Sequence, residues 1–415
     1  MITHLNIQNF KSLKNVELSL GKITVMTGAN NSGKSSFIYS LLALKNTIRN
    51  PNQSIDACLT LPFINLGGFQ QTVFNKNESQ NIILEIIAND NDIEVGYKLS
   101  IGKVNSFLEI TSYKPYRFNA KLVIAFPYPA TKNQGYSFVA QHLNESIVVA
   151  YNWNGIIVNP LNVSTAKFIE NPTDISQTKI INETTFILRR IFQLPLNEFA
   201  KIDFVPLRRG FTRPYFSPVP LGAQISTEEE IATLLANDRD LAGKVKFYLE
   251  KIVERTFSVY TTPGTANFYL QTMDRENGFT ADLVNEGLGT NQLVTILAKI
   301  MQKSNKFICI DEPEIHLHPT IIDKLVSVLI EMAEHEGKQF LISTHSENFI
   351  HSLLKNVAKG TIKSEEVKVY YLNKTRQETK TEYQEINADG QIKGGLKNFY
   401  QTELNNLETF FKITD

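Results

Sequence analysis

The sequence predicts an α/β protein: a mixed sheet built around a phosphate-binding loop, flanked by an antiparallel β lobe and a helical insertion. Three observations carry this expectation. Gly28-Ala29-Asn30-Asn31-Ser32-Gly33-Lys34-Ser35 has the form GxxxxGK[ST] and lies between a β-branched run, Lys22 to Met26, and an amphipathic helical stretch, Ser36 to Leu42. Several short runs between residues 80 and 165 alternate apolar with polar side chains, and their turns are rich in Asn, Asp and Gly, as in antiparallel sheets. Phe307-Ile308-Cys309-Ile310-Asp311-Glu312 sets four apolar residues before two carboxylates, as a buried strand does when it delivers acids to its C-terminal tip.

Bulk composition narrows the class. With 415 residues, 42% of them hydrophobic and 20% charged, the chain can bury a sizeable core. Its 42 basic and 42 acidic side chains cancel, so no global field draws it to nucleic acid or to an anionic membrane. The two cysteines, Cys58 and Cys309, suggest neither a disulfide framework nor a metal knuckle. No basic-then-apolar leader and no membrane-length apolar stretch occurs, so a cytoplasmic protein without membrane contact is expected.

Along the chain, the alternation of Leu5, Ile7 and Phe10, then Val16, Leu18 and Leu20, predicts two or three strands feeding the loop. In the loop, glycines let backbone N–H groups curl around phosphates, and the following helix adds its positive dipole end. Lys34 supplies charge and the Ser35 hydroxyl a Mg²⁺ ligand, so ATP with Mg²⁺ is the expected cofactor pair. Gly28, Asn30, Asn31, Ser32, Gly33, Lys34, Ser35 and Ser36 are the expected nucleotide contacts. Asn50-Pro51 ends the helix, because proline forces extended geometry on the residue before it.

Residues 173–256 read as mainly helical, with Ser226 and Glu229 at capping-box spacing. Within this stretch, Arg208, Arg209 and Arg213 stand among Phe211 and Tyr215 in the densest basic and aromatic cluster of the chain. They suit a nucleic-acid backbone, or equally a loop tied to the fold through backbone carbonyls.

Asp311 is the expected second Mg²⁺ ligand and Glu312 the base for the attacking water, a Walker B arrangement. The next apolar strand, Gln339 to Ser343, ends in Thr344-His345-Ser346, and a histidine at that tip can report loss of the γ-phosphate.

Together the phosphate loop, Asp311-Glu312-Pro313 and Ser343-Thr344-His345-Ser346 resemble the ABC-type ATPase heads of SMC, RecF and OLD (overcoming lysogenisation defect) proteins. Glu312-Pro313-Glu314-Ile315-His316-Leu317-His318-Pro319 and the opening Leu5 to Ser12 look like the OLD-like ATPases of bacterial anti-phage systems. The resemblance covers the first sixty residues and roughly 280–375 well. It implies an ABC-ATPase head with four consecutive parts. These are an N-terminal ATPase lobe with the antiparallel β subdomain (1–170), a mainly helical insertion (171–280), a C-terminal ATPase lobe (281–375) and a small extension (376–415).

The resemblance also implies a signature loop at Asn285 to Gln292, which closes over ATP held by a second copy through Gly287, Gly289 and Asn291. A homodimer or higher oligomer follows from this. Two positions depart from the family pattern: Asn291 stands where serine is usual, and His318 where the D-loop has aspartate. His316 and His318 are read as interface residues rather than metal ligands. OLD nucleases add a Toprim domain, but no Asp-x-Asp follows His345 here, so nuclease activity is not expected of this chain. The resulting expectation is a nucleotide-driven switch for a separate effector, a nuclease or toxin. A DNA-clamping repair ATPase and a transporter ATPase subunit are the alternatives.

Overall fold

The computed structural model describes residues 1–50, 53–104, 106–114, 121–126, 135–142, 145–153, 158–162, 186, 190–191, 193–222 and 224–395. The final amphipathic helix expected through Phe410 lies outside them. Two compact units form, each drawn from separate stretches of chain. Met1–Leu20, Ser35–Ile202 and Lys374–Lys380 make the first; Gly21–Lys34, Asp203–Asn373 and the residues from Thr381 make the second. Along the chain the stretches of the two units alternate.

The first unit contains the expected antiparallel lobe. Its six-stranded sheet runs Leu13–Ser19, Ile2–Phe10, Ile82–Asp90, Ile93–Ile101, Ser106–Lys114, Lys121–Phe126 in spatial order. All five pairings are antiparallel. Burial alternates residue by residue along Ile82–Asp90, because successive side chains leave a strand on opposite faces. The inner face carries Leu84, Ile86 and Leu99, all fully buried. On the other face the register lines up Glu85, Lys98 and Glu109, a row of alternating charge that stabilises the strand pairs. Residues 193–200 are helical, and Phe199 packs against the buried Tyr97 with ring centroids 6.2 Å apart.

The second unit carries a six-stranded sheet in the order Ile202–Val205, Phe307–Asp311, Gln339–Thr344, Ile23–Gly28, Val367–Lys374, Thr379–Gln384. The acid strand (Phe307–Asp311) pairs in parallel with the switch strand (Gln339–Thr344). The switch strand in turn pairs with the loop strand (Ile23–Gly28), and that strand with Val367–Lys374. The acid, switch and loop strands are buried at every residue, as expected of a parallel sheet covered on both faces. Covering helices include the signature helix (Leu288–Met301), buried without a break from Asn291 to Met301, with the polar Asn291 and Lys299 hydrogen-bonded within the fold.

Three details differ from the sequence reading. Ile202–Val205, within the stretch read as helical, is an edge strand: four buried residues show no alternation by which to recognise them. Arg255–Thr261, Phe268–Asp274 and Thr280–Asp282 form an antiparallel sheet at the end of the segment read as a helical insertion. The capping box is Thr227 with Glu230, one residue beyond the expected pair; Thr227 Oγ1 accepts from Glu230 N while the Glu230 carboxylate accepts from Thr227 N. Among the described residues no helix is long and apolar enough to cross a membrane.

Candidate functional site

Parallel pairing brings three strand tips together. Asp311 lies opposite Ser343, Ser343 opposite Met26, and Thr344 opposite Thr27, one residue before the loop begins. Ligands of parallel α/β sheets gather at this edge, beyond the carboxyl ends of the strands.

The loop leaves its strand at Gly28, with φ of 143°, where a Cβ would stand 2.4 Å from the Leu372 carbonyl oxygen. Only glycine fits. Asn31 and Gly33 are left-handed, at φ of 64° and 97°, and left-handed residues interleaved in a turn direct successive N–H groups to one side. The cradle therefore suits a phosphate. Lys34 opens the helix Lys34–Arg49 and is only 5% exposed; its Nζ donates to the carbonyls of Gly28 at 3.0 Å and Ala29 at 3.1 Å. Burial lowers its pKa, while Glu312, Asp311 and Glu314 pull it upward. Ser35 and Ser36 follow in the same helical turn, Ser32 and Ser36 are buried, and Asn30 and Asn31 are exposed on the loop.

At the acid tip, Asp311 is buried and accepts a hydrogen bond from the Ser343 hydroxyl. Glu312 follows with a left-handed backbone at φ of 47°, and its N–H donates to Ser343 O at 2.9 Å. A glutamate in that region is strained and persists only where its surroundings hold it. Arg209 is the clamp. Its Nη1 donates to the carbonyls of Asp311 at 2.8 Å and Pro206 at 3.0 Å, and its Nη2 donates to that of Glu312 at 2.7 Å. Burial pushes the guanidinium down to about 10, against the pull of Glu314, Asp311 and Glu312.

This corrects the nucleic-acid reading for one of the three arginines, Arg209. Arg209 is committed to backbone carbonyls, and Arg213 pairs with Glu229 at 2.9 Å; Arg208 alone is exposed without an ion pair among the described residues. Arg209→Lys keeps the charge but loses the planar fork, and is expected to lower ATP turnover by about tenfold with little change in ATP affinity. Steady-state kinetics beside calorimetry would check this; unaltered turnover would remove the clamp from the catalytic argument.

His345 places Nδ1 3.4 Å from a Glu312 oxygen and 3.6 Å from a Glu314 oxygen. Glu314, which the sequence offers only as the second candidate for the base, joins this cluster. It is buried, and one oxygen accepts from Thr344 Oγ1 at 2.6 Å and from His345 N at 3.1 Å. It thus fixes the backbone that carries the histidine. Burial raises its pKa above the ordinary carboxylate value, and the hydrogen bonds from Thr344 and the backbone only partly offset this.

The folded state accordingly holds this proton more tightly than the unfolded chain, where the value is about 4.3. The resulting stability is complete below the unfolded value and is lost as pH rises through the folded one. Glu314→Gln is expected to flatten that fall in thermal melts taken across weakly acidic to neutral pH; an unchanged slope would assign it to another group.

The signature segment behaves differently at each residue. Gly287 is the N-terminal cap of its helix, with open space around a Cβ, and Leu288 beside it is 60% exposed. Gly289 packs so closely that a Cβ would lie 2.6 Å from His316 O. Asn291 is 4% exposed; its Oδ1 accepts from Phe211 N at 2.7 Å, and its Nδ2 donates to Phe211 O at 2.8 Å and Leu283 O at 3.2 Å. The phosphate contact expected of Asn291 therefore gives way to a brace, since its amide is already spent on the backbone. His318, at the position read as the D-loop aspartate, caps the helix Pro319–His335 through Thr320 N.

The AAA ATPase domain family matches residues 1–350. The chain is 48% identical over 44 residues to the DNA replication and repair protein RecF of Nitrosococcus oceani, covering 10% of this chain and 12% of that protein. It is 38% identical over 80 residues to the Old nuclease of Escherichia phage P2, covering 17% and 14% respectively. It thus spans about an eighth of the length of these curated relatives. Among solved structures, the SMC head domain from Thermotoga maritima is similar with a TM-score of 0.44 and 12% identity, over 93% of this chain and 99% of that one. The chain belongs to the AAA ATPase domain family.

Proposed function

We infer that the protein binds ATP with Mg²⁺ in the loop, hydrolyses it, and uses the cycle as a switch that controls a separate effector. The observation that carries this is the convergence of Gly28, Asp311 and His345 at the tips of neighbouring parallel strands, with Lys34 close enough to feel all three carboxylates. Lys34, whose Nζ donates to the Gly28 and Ala29 carbonyls, would turn to phosphate oxygens when nucleotide is bound. Asp311, held by Ser343, and the Ser35 hydroxyl would be the ligands of a Mg²⁺ ion, which would supply neutralising charge to the phosphates. Glu312 takes the proton of the attacking water, and His345 holds the Glu312 carboxylate in place.

The open Gly287 and exposed Leu288 support closure against a second copy, because a glycine helix terminus with nothing above it can approach a phosphate closely. A nuclease or toxin effector in anti-phage defence is supported by the resemblance to OLD-like ATPases. The commitment of Arg209 to backbone carbonyls weighs against a DNA clamp, for which ATPase stimulation by duplex DNA is the discriminating measurement.

Lys34→Ala is expected to weaken ATP binding by at least about two orders of magnitude in calorimetry, since it removes a charge-assisted contact to the phosphates. Unchanged affinity would overturn the loop assignment. The purified chain is also expected not to cut DNA or RNA. No cluster of three metal-ligating side chains occurs among the described residues, and cleavage that survives Glu312→Gln would defeat the expectation.

A further inference from the structure

We propose that Asn291 is a positioning residue for Glu312, linked to it through the loop Arg209-Gly210-Phe211, so that the start of the signature helix and the acid turn move as one body. The link begins with a side chain that bonds only backbone. Asn291 Oδ1 accepts from Phe211 N, and its Nδ2 donates to Phe211 O and Leu283 O. Both main-chain groups of Phe211 are thus taken by one amide, which fixes that residue as a neighbouring strand would. The Phe211 ring is a second anchor, buried and edge-on to Phe216 with centroids 5.8 Å apart.

Gly210 lies flat on the same amide. Its φ is 112°, and a Cβ there would stand 2.7 Å from Asn291 Oδ1, so no larger residue fits between loop and helix. The next residue back is Arg209, whose Nη1 and Nη2 donate to the carbonyls of Asp311 and Glu312. Where Asn291 holds the loop therefore sets where the guanidinium holds the turn.

The signature helix also grips the far end of that turn. Gly289 packs against it, since a Cβ there would lie 2.6 Å from His316 O. Glu312 and His316 are both left-handed, at φ of 47° and 62°, and such residues keep their conformation only where the surroundings impose it. The two strained residues are the two that the helix reaches, one directly and one through Arg209. Asn291 stands one turn inside the helix terminus, its N–H donating to Gly287 O at 3.2 Å. Pressure on Gly287 is thereby passed to the carboxylate, where a shift of about 1 Å can cost 10²-fold in rate. Only this consequence for turnover rests on the reading of Glu312 as base; the positioning stands on the hydrogen bonds.

The test uses Asn291→Ser in the full chain, because serine is too short to bond both main-chain groups of Phe211. Turnover of ATP is expected to fall about tenfold with unchanged ATP affinity, whereas a phosphate-contacting residue replaced by the serine usual at this position would keep or gain activity. Combined with Arg209→Lys, the loss should stay near tenfold, since both changes cut one link; independent losses would multiply to about a hundredfold. Hydrogen exchange of the nucleotide-free variant should quicken about tenfold over residues 312–317 and stay as in the parent over residues 307–310, where a general loss of stability would quicken both. Gly210→Ala, which pushes the loop off Asn291, is expected to reproduce these effects and decides alone if Asn291→Ser misfolds by circular dichroism. Parent-like turnover in both variants, multiplied losses, or exchange that rises equally in the strand overturns the proposal. A parent that hydrolyses no ATP would sink the ATPase reading instead, and the exchange measurement would then decide whether Asn291 sets the acid turn.

Discussion

Glu312→Gln is expected to bind ATP as the parent does and to turn it over about 10²–10⁴-fold more slowly, the usual worth of a positioned general base. The substitution isolates the chemistry. Arg209 holds the Glu312 backbone carbonyl, and the Glu312 N–H donates to Ser343 O, so the left-handed turn does not depend on the side chain that is changed. The amide keeps the size of the carboxylate while losing the ability to take a proton, and ATP-bound dimer should accumulate, which light scattering during ATP addition would detect. Parent-like turnover would move the base elsewhere. Glu314 is a poor second choice on this geometry, since it is buried and one of its oxygens already accepts two hydrogen bonds.

The second large effect is expected from mixing two inactive proteins. Gly287→Asp should bind ATP but fail to hydrolyse it, because a carboxylate at the signature helix terminus would face the phosphates held by the partner copy. Gly287 is the better position for this than Gly289. A Cβ at Gly287 meets nothing within 4 Å, whereas one at Gly289 would push on the His316 backbone and disturb the acid turn itself. Lys34→Ala supplies the complementary defect. In an equal mixture half the dimers are mixed, and each mixed dimer has one composite site in which an intact loop meets an intact signature. Activity should therefore recover to about a quarter of the parent value if the two sites act independently. Mixed dimers without recovery would mean that the signature does not act in trans, or that one site cannot fire without the other.

Read alone, the sequence located the groups whose chemistry is local. The phosphate loop declares itself because its left-handed and crowded positions need Gly28, Gly33 and a tolerant Asn31, and because Lys34 must follow immediately. Asp311, Glu312 and His345 were legible because apolar strands ending in such side chains form a pattern within a few residues. The antiparallel lobe was legible too, since burial on one face imposes alternation along each strand.

Only tertiary structure decided what those groups touch. Ser343 holds Asp311 because the switch strand lies beside the acid strand, a neighbour relation that no local pattern encodes. Arg209 reaches the acid turn from about a hundred residues away, and Asn291 spends its amide on Phe211 rather than presenting it outward. A side chain's type states what it can bond, but its partner is chosen by packing, and packing joins residues that the chain keeps far apart.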